Sequence, residues 1–137
     1  MIKTDIIIIG AGPVGLFAVF EAGLMKLKCH LIDAIPEVGG QLTEIYPKKP
    51  IYDIPGYPTI LAGELINNLM EQASPFKPGF TLGERAEKIN KEVDGNFIVT
   101  TNEGTKHHAP VIMIAGGLGS FEPRKPKIDI LHNFEKK

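Results

Sequence analysis

Apolar positions along this chain fall into two patterns, short continuous β-branched runs and longer stretches at helical spacing. Asp5 to Ile9 is a run of the first kind, ending at Gly10, and it predicts a strand buried on both faces, as in a parallel sheet. Gly-Ala-Gly-Pro-Val-Gly follows, and an apolar stretch from Val14 to Met25 has the length of a helix that Pro13 opens. Cys29 to Ile32 is a second short strand closing at Asp33. Strand, glycine turn, helix and strand in about thirty residues make one βαβ unit. From Ala34 to Pro58 the periodicity disappears and prolines 36, 47, 50, 55 and 58 interrupt the chain. A loop of that length inside a domain is usually functional. Ala62 to Ala73 returns to helical spacing, with Leu65, Ile66, Leu69 and Met70 on one face, and Pro75 and Pro78 stop it.

The remaining residues read as β structure. Ala86 to Val93 and Phe97 to Thr101 flank the turn signal Asp94-Gly95-Asn96, and Asn102-Glu103-Gly104 precedes a further strand at Lys106 to Ala109. Val111 to Ala115 forms a last buried strand and runs into Gly116-Gly117-Leu118-Gly119. The expected fold is α/β, a Rossmann-like domain whose parallel sheet begins with the βαβ unit and carries an antiparallel β-meander.

At 137 residues the chain is about one domain long, and its 43% hydrophobic and 23% charged residues exclude a disordered polymer. A net charge of −1 gives no basic excess for nucleic acid or anionic membrane, so neither is an expected partner. No apolar stretch reaches the length of a membrane span, and the four-residue run Ile6 to Ile9 behind Asp5 is too short for a signal peptide, so the expected location is the cytoplasm. The single cysteine, Cys29, excludes a disulfide within these residues, and its place in a buried strand makes it a small hydrophobe.

Gly10, Gly12 and Gly15 match the dinucleotide fingerprint G-x-G-x-x-G in the context it requires. Gly10 allows the tight turn, Gly12 lets backbone approach a pyrophosphate, and Gly15 lets helix and strand pack closely. Phosphates would sit at the helix N-terminus, where free N–H groups and the helix dipole attract negative charge. Pro13 suits that first turn because its missing N–H has no helical partner. Asp33 lies eighteen residues beyond Gly15, where a carboxylate can hold a ribose diol and repel a 2′-phosphate. The competing reading of Asp33 is a cap on the turn that follows the strand.

GAGPVGL, LIDAIPEVGGQL, IYDIPGYP and AGGLGSFEPRKP together resemble the FAD half of the thioredoxin-reductase-like flavoproteins, in particular their ferredoxin (or flavodoxin)–NADP⁺ reductase branch. The resemblance runs from about Lys3 to Pro126. It implies FAD as cofactor, with Asp33 at the adenosine ribose, Gln41 and Tyr46 on the flavin side, Ala86 at the adenine end and Phe121 at a further contact. It implies electron flow from NADPH through FAD to ferredoxin or flavodoxin, in an enzyme that assembles as a homodimer. The one fingerprint present makes residues 1–137 the N-terminal part of an FAD-binding domain, with the NADPH-binding domain and a C-terminal FAD segment absent. No side chain here is expected to act as a proton-transfer catalyst. The rivals are a thioredoxin reductase whose Cys-x-x-Cys lies further on, and a non-enzymatic nucleotide-binding module. His107 and His108 read as solvated surface on opposite faces of a strand, and Arg124, Lys125 and Lys127 as a small basic cluster.

Overall fold

The computed structural model describes residues 1–119. In chain order it contains β1 (Ile2–Lys3), β2 (Ile6–Ile9), α1 (Pro13–Leu24), β3 (Cys29–Asp33), α2 (Gln41–Glu44), β4 (Pro50–Ile51) and β5 (Ile60–Leu61). Then come α3 (Ala62–Ala73), β6 (Gly79–Leu82), β7 (Ala86–Lys91), β8 (Phe97–Thr101), β9 (Lys106–Ala109) and β10 (Val111–Ile114). Strands β10, β2, β3 and β6 lie side by side in that order, all parallel. Strands β7, β8 and β9 form the antiparallel meander, and β1 joins β9 in parallel at its edge.

The central strands β2 and β3 are covered on both faces, which is why they carry no polar alternation. Strand β10, expected as a buried strand, is instead an edge strand whose Val111 and Ile114 are exposed, because no further strand flanks it among the described residues. Ile8 and Leu31 face α1 and α3 and pack with Leu16, Val19, Leu65, Ile66 and Leu69. Ile7 and Ile32 point the other way and meet Val99 and Ala109 of the meander. One strand thus feeds two cores through the two-residue side-chain period. Each fully buried Ile or Leu contributes about 1.5–3 kcal/mol by its removal from water.

Helix α1 starts at Pro13 and ends where Lys26 turns into the left-handed region at φ 62, with the Leu27 amide donating to the Ala22 carbonyl. Gly23 on its buried side makes room for Phe76, since a Cβ there would lie 2.2 Å from the ring. Helix α3 has the bounds its spacing predicts, and its Leu65, Ile66 and Leu69 are buried. A 3₁₀ turn at Ser74–Phe76 and Lys77 at φ 49 stop it.

Three further features depart from the sequence expectation. Strand β6, with the sequence Gly-Phe-Thr-Leu, is a parallel edge strand that four residues of weak pattern did not reveal. The proline-rich stretch holds the short α2, and its Pro50–Ile51 pairs with Ile60–Leu61. His107 is not solvated surface: it is fully buried, because its strand face meets the parallel sheet, where Thr81 supplies a hydrogen bond. His108 does point the opposite way, is half-buried, and lies 3.2 Å from Glu92. Cys29 is buried as expected, and burial followed by the nearby Asp5 charge pushes its thiol up.

Candidate functional site: a glycine-lined cradle at the strand ends

The three fingerprint glycines are needed for different reasons. Gly10 sits at φ 111, and a Cβ on it would stand 2.3 Å from the Ala115 carbonyl oxygen. It therefore lets the turn after β2 press against the chain leaving β10, where the Ala115 amide donates to the Ile9 carbonyl at 2.7 Å. A Cβ on Gly15 would lie 2.0 Å from the Gly10 carbonyl oxygen and 3.4 Å from Ile8, so only glycine brings α1 onto the strand. Gly12 is different. Among the described residues a Cβ there would meet only the Gly39 carbonyl oxygen, at 4.0 Å, so open space adjoins the Gly12 backbone.

That open space borders the start of α1. Gly12 is the N-cap residue, offers no side-chain cap, and is followed by Pro13, with no acidic side chain in the first turn. The amides of Val14 and Gly15 precede the first helical donor, the Leu16 amide that reaches the Gly12 carbonyl at 3.0 Å, and have no intrahelical partner. Donors left free beside open volume at the positive end of a twelve-residue helix fit a phosphate or pyrophosphate. Gly39 and Gly40 form the opposing wall. The Gly39 amide donates to the Ala11 carbonyl at 2.9 Å, and a Cβ on Gly40 would lie 3.5 Å from the Gly12 Cα. Gln41 follows directly as the first residue of α2, half-buried beside this wall.

Asp33 ends β3 and is part-buried. Its Oδ2 accepts the Ala11 amide at 2.7 Å and its Oδ1 accepts the Ile35 amide at 3.0 Å. The carboxylate is therefore a structural clip between the glycine turn and the following loop. Each oxygen retains acceptor capacity, so the same group can also receive a ribose hydroxyl. The connection from β6 to β7 comes to the same corner: the Glu84 amide donates to the Asp33 carbonyl, and the Gly83 amide to the Ile35 carbonyl, both at 3.1 Å. Ala86 opens β7 two residues later. The fold thus brings Asp33 and the approach to Ala86 together from positions about fifty residues apart in sequence.

Tyr46 is half-buried within the proline-rich stretch. With Lys49, Pro50, Ile51, Tyr52 and Asp53 it lines a shallow cleft of about 280 Å³, and the Lys49 ammonium lies 4.9 Å from its ring centre. Gly10, Gly12, Pro13, Gly15, Gln41 and Asp33 are gathered at the carboxyl end of the parallel sheet. Phe121 and the basic residues Arg124, Lys125 and Lys127 lie outside the described residues. Sequence reasoning did not find Gly83, Glu84 and the Ala11 amide; the signal for Gly83, a lone glycine after a weak strand, is visible only once β6 is known.

The glycine turn after β2 and the one after β10 lie beside each other, at the carboxyl ends of adjacent strands. In open α/β sheets this is where nucleotides bind. No protein-family model matches the chain. All 137 residues align at 74% identity with ferredoxin–NADP reductase 1 of Christiangramia forsetii, and at 72% with ferredoxin–NADP reductase of Flavobacterium johnsoniae. The chain spans 39% of the length of each. Among solved structures, thioredoxin reductase from Streptococcus pyogenes superposes with a TM-score of 0.71 at 25% identity, over 92% of this chain and 38% of that one. A cyclohexanone monooxygenase shares the fold at TM-score 0.70 and 21% identity, over 92% of this chain and 28% of its own. The chain is homologous along its whole length to proteins named ferredoxin–NADP reductase, and its fold is the Rossmann-like fold of the thioredoxin reductases.

Proposed function

We propose that this chain is the FAD-binding part of a ferredoxin–NADP reductase, with the NADPH-binding domain and a further FAD segment lying on other residues of a longer protein. The observation that carries the reading is the open space at Gly12, enclosed by Gly39-Gly40 and faced by the uncapped start of α1. The pyrophosphate would lie on those amides. Asp33 would orient the adenosine ribose, Ala86 would border the adenine, and Gln41 and Tyr46 would hold the flavin side. The negative charge of Asp33 disfavours a 2′-phosphate in this cradle, which assigns FAD here and NADPH elsewhere. Bound FAD would supply the exchange between two-electron and one-electron chemistry, and this chain's residues would position it and shield it from water. Ferredoxin or flavodoxin is the acceptor in this reading, and the enzyme is a cytoplasmic homodimer that uses neither nucleic acid nor membrane.

The sequence relatives favour this reading over a thioredoxin reductase. Cys29 is the only cysteine of the 137 residues and is buried in β3, so no dithiol centre can form among them. Mass spectrometry of the small molecule released from purified protein tests the proposal. FAD is the expected species, and FMN alone would overturn it, because the pyrophosphate cradle and Asp33 serve parts that FMN lacks.

A further inference from the structure

Between the parallel sheet and the meander lies a polar joint that the cofactor reading does not use. His30 of β3 and His107 of β9 face each other with ring centres 4.9 Å apart. Thr81 of β6 stands between them. Its Oγ1 is 2.8 Å from His30 Nε2 and 2.9 Å from His107 Nε2. His107 is fully buried and His30 is 8% exposed. The space is built for these rings: a Cβ on Gly79, beside His30 in register, would lie 2.2 Å from His30 Nδ1. Around the three polar groups the packing is aliphatic, from Ile7, Ile32, Val99 and Ala109.

A threonine hydroxyl has one proton to donate, so it cannot donate to both rings. In the neutral pair Thr81 donates to one Nε2 and accepts from the other, and the two histidines hold opposite tautomers. A second proton on the ring whose Nε2 accepts removes this arrangement, and a second proton on either ring places a cation in an aliphatic layer. We propose that His30, Thr81 and His107 form an acid-opened joint between the two sheets, which holds the meander closed at neutral pH and frees the adenine end of the nucleotide site when protonated. The link to the site is the β6–β7 connection, which runs from Thr81 through Gly83 and Glu84 to the backbone of Asp33 and Ile35. That part of the proposal rests on the function proposed above.

The charged neighbours set the direction. Burial, and then the facing His107, lowers His30 from its ordinary value to about 4. His107 is also lowered, chiefly by burial and to a small extent by the N-terminal amine, while the Val99 backbone and the Glu84 carboxylate act in the opposite sense. Among the described residues His107 Nδ1 is buried with no hydrogen-bond partner. Both rings therefore bind protons more readily once the joint opens. Its stability is complete above the ordinary imidazole value near 6.5 and declines as the pH falls through the window toward 4. His108 faces Glu92 outside the joint.

The test uses the unaltered chain. Long-range proton–nitrogen correlation spectra of the histidine rings, recorded from pH 7.5 to 4.5, should show His30 and His107 as opposite neutral tautomers that stay neutral as the pH falls through 6.5. Amide exchange, corrected for its intrinsic pH dependence, should show protection in β7, β8 and β9 falling before that of β2 and α3. The expected fall is roughly sevenfold to tenfold per histidine for each pH unit well below the ordinary imidazole value. FAD absorbance after rapid gel filtration should show faster release over the same pH range. His107→Gln removes one titrating ring and should halve the logarithmic pH slope of meander protection, whereas Thr81→Ser keeps the bridging hydroxyl and the full slope. Identical tautomers, titration of both rings near 6.5 with the meander intact, or simultaneous loss of protection in both sheets overturns the joint. FAD release that ignores meander opening overturns the link to the site. Failure to bind FAD at pH 7.5 overturns the proposed function instead, and the ring and exchange data then decide the joint alone.

Discussion

The two faces of the parallel sheet are held by different chemistry. On the helix face, Ile8 and Leu31 meet Leu16, Val19, Leu65 and Ile66, and none of these side chains has a polar atom. On the meander face, Ile7 and Ile32 share the layer with His30, Thr81 and His107, joined by two hydrogen bonds. An aliphatic layer tolerates small shifts, because its attraction is non-directional and proportional to area. A layer with buried hydrogen bonds fixes register, because a shift leaves a polar group unpaired at a cost of about 1–3 kcal/mol. The helix face thus supplies bulk stability, while the meander face sets where β6 and β7 deliver the loop that meets Asp33.

The contrast is tested most strongly on the helix face. Leu31→Ala should cost about 3 kcal/mol in denaturant unfolding, within the range for a fully buried leucine that leaves a cavity. The cost should be the same at pH 7 and pH 5.5, since the core cluster around Leu31 is aliphatic apart from Cys29, whose thiol is pushed up by burial and stays neutral in that range. A loss that grows on acidification would mean that the two faces are not separate layers.

At the carboxyl edge, where both faces end, Asp33→Ala should weaken FAD binding by about 1.5–3 kcal/mol, the range for hydrogen bonds to a charged group. It also strands the Ala11 and Ile35 amides, so thermal unfolding should shift downward as well. Loss of stability with unchanged FAD affinity in a calorimetric titration would make Asp33 a clip alone. Gly12→Ala sharpens the point. Its Cβ meets nothing closer than 4.0 Å and its φ of −75 suits any residue, so the fold should stay within about 1 kcal/mol of the parent. FAD affinity should nevertheless fall about tenfold or more, or about 1.4 kcal/mol, because the methyl group enters the cradle. Equal affinity would move the pyrophosphate away from Gly12.

The smallest effect is expected on the outer side of the meander. His108 and Glu92 form a half-exposed pair, and Glu92→Gln should change stability by less than about 1 kcal/mol. A larger change there would show that the outer side of the meander carries stability that the comparison assigns to its inner layer.

Much of the βαβ start was legible because its requirements are local. Gly15 answers to the Gly10 carbonyl five residues away and Gly10 to its own φ of 111, and the β-branched run before them has few conformations open to it. That Gly10 also presses on the distant Ala115 carbonyl only the fold shows. Helix α3 was legible to the residue because Leu65, Ile66 and Leu69 repeat at helical spacing between clear stops. Gly-Phe-Thr-Leu has no such signature: a four-residue edge strand is defined by the partner that β3 offers, not by its own pattern.

What the sequence determined alone is the fold class, the position of the glycine cradle and the acidic residue at the end of β3, since each depends on short-range sterics and spacing. Only the tertiary structure decided that Asp33 clips two backbone amides, that Gly83 and Glu84 reach its corner, and that His107 is buried while His108 is not. Adjacent residues of a strand necessarily face opposite ways, but which face meets another sheet depends on how distant strands stack. A histidine is stable in either setting once a partner is present, and here that partner, Thr81, comes from a strand twenty-six residues away.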